Sequence, residues 1–212
     1  MIAPPERSAE RDAAIAATLA HVPFDGWTRI ALRRGLAAIG GDPRDAALLF
    51  PGGAADMIAA FCDLADRQMA AGMTAPDYAG LRTTARVRAA IALRLEQNRP
   101  HREAIRRALA VLALPGNAAV AAACTARTVD AIWQAAGDRA ADFSWYTKRA
   151  LLAGVYTATV LFWLRRADQD ADDAATLAFL DRRLAGVGRI GSLRRRAESG
   201  LRRLLPPALR SV

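Results

Sequence analysis

Apolar residues recur at steps of three and four along most of this chain, and short breaks rich in Gly or Pro divide the pattern into helical segments. The breaks at Pro51-Gly52-Gly53 and Pro115-Gly116-Asn117 are the clearest. Alanine is abundant whereas β-branched and aromatic residues are scarce, which favours helices over strands. No segment alternates apolar and polar residues in the manner of a strand. The pattern predicts an all-α bundle of about nine or ten helices around one core.

The first segments follow the order of a helix-turn-helix unit. A turn at Gly40-Gly41 precedes a short helix over Pro43–Leu49, and Phe50 comes before a longer helix. This order resembles the start of TetR-type regulators. That family commonly steadies DNA phosphates with a Tyr and a Lys, where this chain has Ala47 and Gly53. Because DNA affinity depends on several neutralised phosphates, we expect the fold to be kept without DNA binding.

Three features of the sequence bear on the location of the protein and on the redox state of its cysteines. The segment Met1–Arg11 lacks the apolar centre of a signal peptide. The longest apolar run, Ala150–Leu164, is about 15 residues, short of the ~20 that a membrane-spanning helix needs. Cys62 and Cys124 each lie in an apolar helical pattern, which predicts buried free thiols. Together these features predict a cytosolic protein.

Residues with catalytic or metal-binding spacing are missing from the sequence. His21 and His101 lie far apart, and neither has the spacing of a metal-ligand pair. The chain has no phosphate-binding glycine loop, no pair of cysteines with two residues between them and no nucleophile elbow. Residues 168–172 imitate the first half of a calcium loop, but Asp173 stands where the turn needs Gly and Phe179 where it needs Glu. We predict a non-enzyme without catalytic residues or a metal site.

The basic residues are concentrated at the C-terminal end. The net charge is +9, and Val187–Val212 contains seven Arg and one Glu. Apolar residues there follow steps of three and four, with arginines between them, which predicts an amphipathic helix in a membrane interface. The alternatives are a core-packed helix with a solvated face, or RNA binding. The predicted membrane-binding residues are Ile190, Leu193, Arg194, Arg195, Arg196, Leu201, Arg202, Arg203, Leu204 and Leu205.

Five sequence blocks occur in a distinctive order. They are GWT at residues 26–28, FPGG at 50–53, VRAAIALRLE at 87–96, LPGN at 114–117 and IWxxAGDxxxDFxWYTKRxxLxxVYxxT at 132–159. Over roughly residues 8–205 the chain resembles the lipid-binding accessory proteins of ubiquinone (coenzyme Q) biosynthesis, the ninth coenzyme-Q-deficiency complementation group. The WYTKR block carries most of this resemblance.

The resemblance implies a TetR-like homodimer that has lost DNA binding and does not bind nucleic acid. It would hold an isoprenoid quinone or another lipid, with a bound phospholipid or isoprenoid lipid in place of a cofactor, and present it at a membrane surface to the di-iron demethoxy-ubiquinone hydroxylase. Mitochondrial relatives carry a leader, whereas this chain enters its first helix almost at once, so we expect a bacterial cytoplasmic protein, peripheral on the inner membrane. The partner-binding residues implied are Asp142, Trp145, Tyr146, Lys148 and Arg149.

The alanine-rich helices predict an apolar cavity, since small residues on facing helices leave space between them. Close helix packing is the alternative. The predicted lipid-binding residues are Phe61, Ile91, Leu95, Ile132, Leu152, Tyr156 and Val160.

Three segments follow from these predictions. They are a vestigial helix-turn-helix-like unit over 1–53, a helical lipid-binding and dimerisation body over 54–186, and the basic amphipathic helix over 187–212. Two other functions stay open, a TetR-type ligand-responsive transcriptional repressor and a structural membrane adaptor without a cavity.

Overall fold

A computed structural model describes residues 4–138, 144–166 and 173–186 of the chain, and every regular element in these ranges is helical. The prediction of an all-α protein is confirmed. The α-helices are α1 Ala9–Thr18, α2 Val22–Asp25, α3 Arg29–Ala38, α4 Ala46–Leu49, α5 Gly53–Gly72, α6 Thr83–Gln97, α7 Arg102–Leu112, α8 Ala118–Ala135, α9 Ser144–Arg165 and α10 over residues 174–186.

Side-chain caps begin several of the N-terminal helices. Ser8 accepts a hydrogen bond from the Arg11 amide at 3.0 Å and opens α1, and Thr28 caps α3 in the same way. Each such cap contributes about 1 kcal/mol to helix stability. The predicted break before α8 is a short 3₁₀ turn over Pro115–Asn117. Within the described ranges, no single helix has both the length and the apolarity of a membrane span. Two pairs of consecutive helices have them when the two helices of each pair are counted together, but each pair is sharply bent.

The buried side chains of the described residues form two clusters, where the sequence predicted one core. The first joins α1–α5 to α7 and contains Ile15, Trp27 and Phe50. The second joins the end of α5 to α6, α8, α9 and α10 and contains Trp163 and Leu180. Because α5 is 20 residues long, it runs through both clusters and connects them.

The N-terminal unit is closed by contacts with later helices. The indole nitrogen of Trp27 donates to the Ala104 carbonyl of α7 at 2.9 Å. The buried Arg11 guanidinium donates to the Leu49 carbonyl and to Asp56 of α5, and lies 4.2 Å from the centre of the Phe50 ring. These contacts fix the helix-turn-helix-like unit onto the body that contains the candidate site.

Candidate ligand-binding cavity

An apolar cavity of about 320 Å³ lies where the two core clusters meet. Its walls come from α5, α6, α7, α8 and α9. Aliphatic and aromatic side chains make up most of the wall, and small residues such as Ala108 and Ala121 leave the space open. Pockets that bind small molecules begin at about 300 Å³ and are likewise mostly apolar with a few polar groups.

Helix α7 supplies a wall of the cavity that the sequence analysis did not assign. Ile105, Ala108, Leu109 and Leu112 all border the cavity. They follow steps of three and four, which puts them on one face of the helix. The other face is charged, with Glu103 pairing Arg106 and Arg107. This amphipathic spacing could have been recognised in the sequence. It predicts that one face of α7 is buried, but it does not predict that this face borders a cavity.

The predicted lipid-binding residues divide into two groups. Phe61, Leu95, Tyr156 and Val160 border the cavity. Ile91, Ile132 and Leu152 do not, because they are buried in the second core cluster. They belong to the same apolar helices, but their side chains fill the space between α6, α8 and α9 behind the cavity wall.

The polar end of the cavity is built around Arg94, which the sequence analysis did not single out. Its Nε donates to Tyr156 Oη at 2.9 Å, and its Nη1 lies 3.1 Å from Asp66 Oδ1. Asp66 also accepts a hydrogen bond from Thr128 Oγ1 at 3.0 Å. Burial raises the pKa of Asp66 to about 6, against the attraction of the Arg94 charge. The sequence did contain a feature that could have identified this polar group: an arginine on the apolar face of α6, between Ile91 and Leu95.

Both cysteines border the cavity, Cys62 from α5 and Cys124 from α8. They are free thiols, as predicted, with Cys124 buried and Cys62 half-buried. A hydrogen bond between the two thiols, together with burial, raises the pKa of Cys62 well above its ordinary value. Cys62 therefore stays protonated at neutral pH. Among the described residues, no group of three His, Cys, Asp or Glu side chains has the arrangement of a metal site.

Three of the predicted partner-binding residues, Tyr146, Lys148 and Arg149, lie in the first turns of α9. Tyr146 is 73% exposed, and Lys148 Nζ lies 3.4 Å from Asp138 Oδ2. Arg149 does not extend into solvent, because its guanidinium pairs with the buried Asp130 of α8. Asp142 and the side chain of Trp145 lie outside the described residues.

The predicted membrane-binding segment also lies outside the described residues. This applies to Ile190, Leu193, Arg194, Arg195, Arg196, Leu201, Arg202, Arg203, Leu204 and Leu205.

A solved structure shares the architecture described above. The TetR transcriptional regulator from Nitrosomonas europaea matches with a TM-score of 0.66 and 21% sequence identity, over 84% of this chain and 97% of that one. This similarity shows the fold alone. The predicted TetR-like arrangement of helices is confirmed.

Sequence comparison finds a family and its curated relatives. A family model described as COQ9 matches residues 118–191. "Ubiquinone biosynthesis protein COQ9, mitochondrial" of Rattus norvegicus is 31% identical over 87% of this chain and 61% of the relative. The Homo sapiens protein of that name is 30% identical over 87% of this chain and 59% of the relative. The chain thus spans about three fifths of these relatives.

The expected location has to be corrected. The relatives are named mitochondrial proteins, so the expectation of a bacterial cytoplasmic protein on the inner membrane is wrong. It depended on the early start of the first helix. Because the chain spans only part of these relatives, that position carries no information on location.

Among these matches, the relative from Schizosaccharomyces pombe is the one of which this chain covers the largest share. "Ubiquinone biosynthesis protein coq9, mitochondrial" of that yeast is 32% identical over 83% of this chain, and the match covers 69% of the relative. With the predicted sequence blocks and the TetR-like fold, this match establishes the relationship. The chain belongs to the COQ9 family.

Proposed function

We propose that the protein is a non-enzymatic accessory factor of ubiquinone biosynthesis that holds an isoprenoid quinone intermediate or another lipid in the cavity. Family membership supports the pathway, since the relatives are named ubiquinone biosynthesis proteins. The observation that carries lipid binding is the apolar cavity of about 320 Å³ between five helices. An apolar ligand in such a cavity gains contacts with its walls, and binding to the folded state stabilises the protein.

The first test is the organic extract of the purified protein, analysed by mass spectrometry, for the wild type and for Ala121→Phe. Ala121 borders the cavity from α8, so a phenyl ring there should displace the lipid. We expect the extract of the variant to lose most of the lipid, while the free energy of unfolding falls by less than the ~1–3 kcal/mol of an overpacked core.

The matched control is Ala122→Phe, one residue further along α8 and exposed. It should keep the lipid and the wild-type melting temperature. An empty wild-type extract, or a large loss of stability in Ala121→Phe with no change in lipid, contradicts the proposal and favours the structural adaptor.

We further propose that the protein forms a homodimer, acts at a membrane surface and presents the lipid to the di-iron demethoxy-ubiquinone hydroxylase. Tyr146, at the start of α9, is a candidate contact because it is 73% exposed. Interface aromatics commonly contribute at least ~2 kcal/mol to binding, which is about a 30-fold change in affinity. Tyr146→Ala should therefore lose co-purification of the hydroxylase without lowering the melting temperature.

Phe24→Ala is the matched control, since Phe24 lies on α2 and is 82% exposed. It should leave both measurements unchanged. Retained co-purification in Tyr146→Ala removes this residue from the partner surface.

The repressor alternative depends on the short segment formed by Pro43–Asp45 and α4. This segment exposes Arg44 and Leu48, and Asp42 caps its start. A single arginine beside acidic groups provides few phosphate contacts, and phosphate contacts supply most of the affinity for DNA. The similarity to a regulator extends to the fold, so lipid presentation is the better-supported function.

A further inference from the structure

Arg94, at the polar end of the cavity, forms an ion pair with Asp66 behind the wall, and this pair has unused hydrogen-bonding capacity. Arg94 and Asp66 side chains are each 7% exposed, and their closest atoms lie 3.1 Å apart. Yet neither Arg94 Nη1 nor Asp66 Oδ1 has a hydrogen-bond partner among the described residues, because the contact lacks hydrogen-bond geometry. Buried polar atoms without a hydrogen-bond partner are rare in folded proteins, because leaving them unsatisfied is unfavourable.

A second group beside Arg94 retains a proton to donate. The hydroxyl of Tyr156 accepts the hydrogen bond from Arg94 Nε, so its own proton is available. Burial raises the pKa of Tyr156, so the hydroxyl stays protonated at neutral pH. Arg94 and Tyr156 both border the cavity. Two donors therefore meet at one end of an otherwise apolar space.

We propose that Arg94 and Tyr156 form a head-group subsite that binds an uncharged carbonyl oxygen on a ring, while the apolar tail of the ligand lies along α7. This inference rests on the proposed function and specifies the class of ligand that the cavity selects. An acceptor oxygen complements both donors, whereas an aliphatic end leaves them unsatisfied.

The neighbouring charges argue for a neutral head group over an acidic one. Asp66 lies against Arg94 and balances its charge at neutral pH. A carboxylate or phosphate head would bring a second negative charge next to a buried carboxylate. The raised pKa of Asp66 indicates that this environment already disfavours one negative charge. A ketone or quinone oxygen accepts the same hydrogen bonds without that penalty.

Stability alone does not account for the ion pair. Replacing a buried ion pair by neutral or apolar side chains is often neutral or stabilising, because the charges lose their hydration. In addition, Arg94 of this pair lines the cavity, where an apolar side chain would enlarge the apolar surface. Ligand selection is a function that such a pair can serve.

Three probes with one ring and one tail separate these possibilities. They are decyl-trimethyl-para-benzoquinone, decyl-trimethylbenzene and decyl-trimethylbenzoic acid, titrated calorimetrically into the delipidated full chain. The quinone has no unsubstituted ring carbon, so the thiols of Cys62 and Cys124 at the cavity have no free position to add to. We expect the quinone to bind about tenfold or more tightly than the hydrocarbon, because hydrogen bonds to charged groups are among the stronger ones. The acid should bind more weakly than the quinone.

Two variants assign the preference to the subsite. Tyr156→Phe removes one donor and should reduce the preference for the quinone. The double variant Arg94→Met with Asp66→Asn removes the charged pair together, which avoids leaving one buried charge alone. It should lose most of the preference for the quinone, since only the Tyr156 donor remains, while keeping the wild-type affinity for the hydrocarbon. The matched control is Arg11→Met with Asp56→Asn, which removes a 2.8 Å ion pair between a buried arginine and a half-buried aspartate that do not line the cavity, and it should leave the preference unchanged.

The outcomes separate this inference from the proposed function. Equal affinity of the wild type for quinone and hydrocarbon, tightest binding of the acid, or a quinone preference that is undiminished in the Arg94/Asp66 double variant each overturns the head-group subsite while leaving a lipid cavity. Absence of binding by all three probes overturns the cavity's role itself and the subsite with it.

Discussion

Replacing Asp173 with alanine is expected to lower the free energy of unfolding by about 3–5 kcal/mol, the loss typical of removing one partner from a buried charged network. Asp173 is 3% exposed and accepts hydrogen bonds from Trp163 Nε1 at 2.9 Å, from Arg99 Nη2 at 2.8 Å and from Arg102. Without the carboxylate, the buried indole N–H loses its acceptor and two arginines lose this counter-charge.

The backbone of Asp173 adds to the expected loss. Its φ is 59°, in the left-handed region that Asp, Asn and Gly tolerate better than Ala. Its carbonyl accepts the first hydrogen bond of α10, from the Leu177 amide at 2.8 Å. Alanine would therefore strain the helix start as well as remove the carboxylate.

Chemical denaturation followed by circular dichroism measures the effect. Asp173→Asn is the control, because it tolerates the same φ and keeps an acceptor oxygen for Trp163, so it should lose clearly less stability than Asp173→Ala. Equal losses in the two variants would assign the effect to charge alone. A loss below about 1 kcal/mol in Asp173→Ala would contradict the network. Because Trp163 borders the cavity, lipid content should fall in step with stability.

The helices were predictable because their signals are local. Apolar steps of three and four define each helix, and Gly or Pro at Pro51-Gly52-Gly53 and Pro115-Gly116-Asn117 ends it. The division of the interior into two clusters was not predictable in this way. It depends on the length of α5 and on the return of α7 to the N-terminal unit, where Ala104 accepts a hydrogen bond from Trp27. Such contacts join residues that are far apart in the sequence.

The sequence predicted that an apolar cavity exists, but it identified only some of the residues that line it. Periodicity identifies the buried face of a helix, but a residue facing a neighbouring helix and one facing a void have the same pattern. Leu95 borders the cavity, and Ile91, one turn earlier on α6, fills the second core cluster. Arg94 gave the stronger signal, since a charge on an apolar face needs a partner or a ligand. Asp173 was noted only as a departure from a calcium loop, and neither its positive φ nor its contact with Trp163 could be predicted from that.

Replacing Gly35 with alanine is expected to destabilise the protein by about 3 kcal/mol, the upper part of the usual range for overpacking. Gly35 is a buried residue of α3 at its crossing with α1. An added Cβ would lie 2.8 Å from the Thr18 backbone nitrogen, 2.8 Å from its Oγ1 and 2.9 Å from its Cα. Thr18 is fully buried and its hydroxyl donates to the Ala14 carbonyl at 2.6 Å, so it has no room to move aside.

Gly154→Ala on α9 is the matched control for this substitution, and it should act in the opposite direction. Gly154 is exposed, and nothing lies within 4 Å of the position of an added Cβ. Alanine in a helix interior is more favourable than glycine by roughly 0.5–1 kcal/mol, so the variant should be slightly more stable than the wild type. Denaturation midpoints of the two variants, measured side by side, test the helix crossing directly. A Gly35→Ala variant as stable as Gly154→Ala would mean that α1 and α3 do not approach as closely as their backbones indicate, and that the N-terminal unit is packed differently.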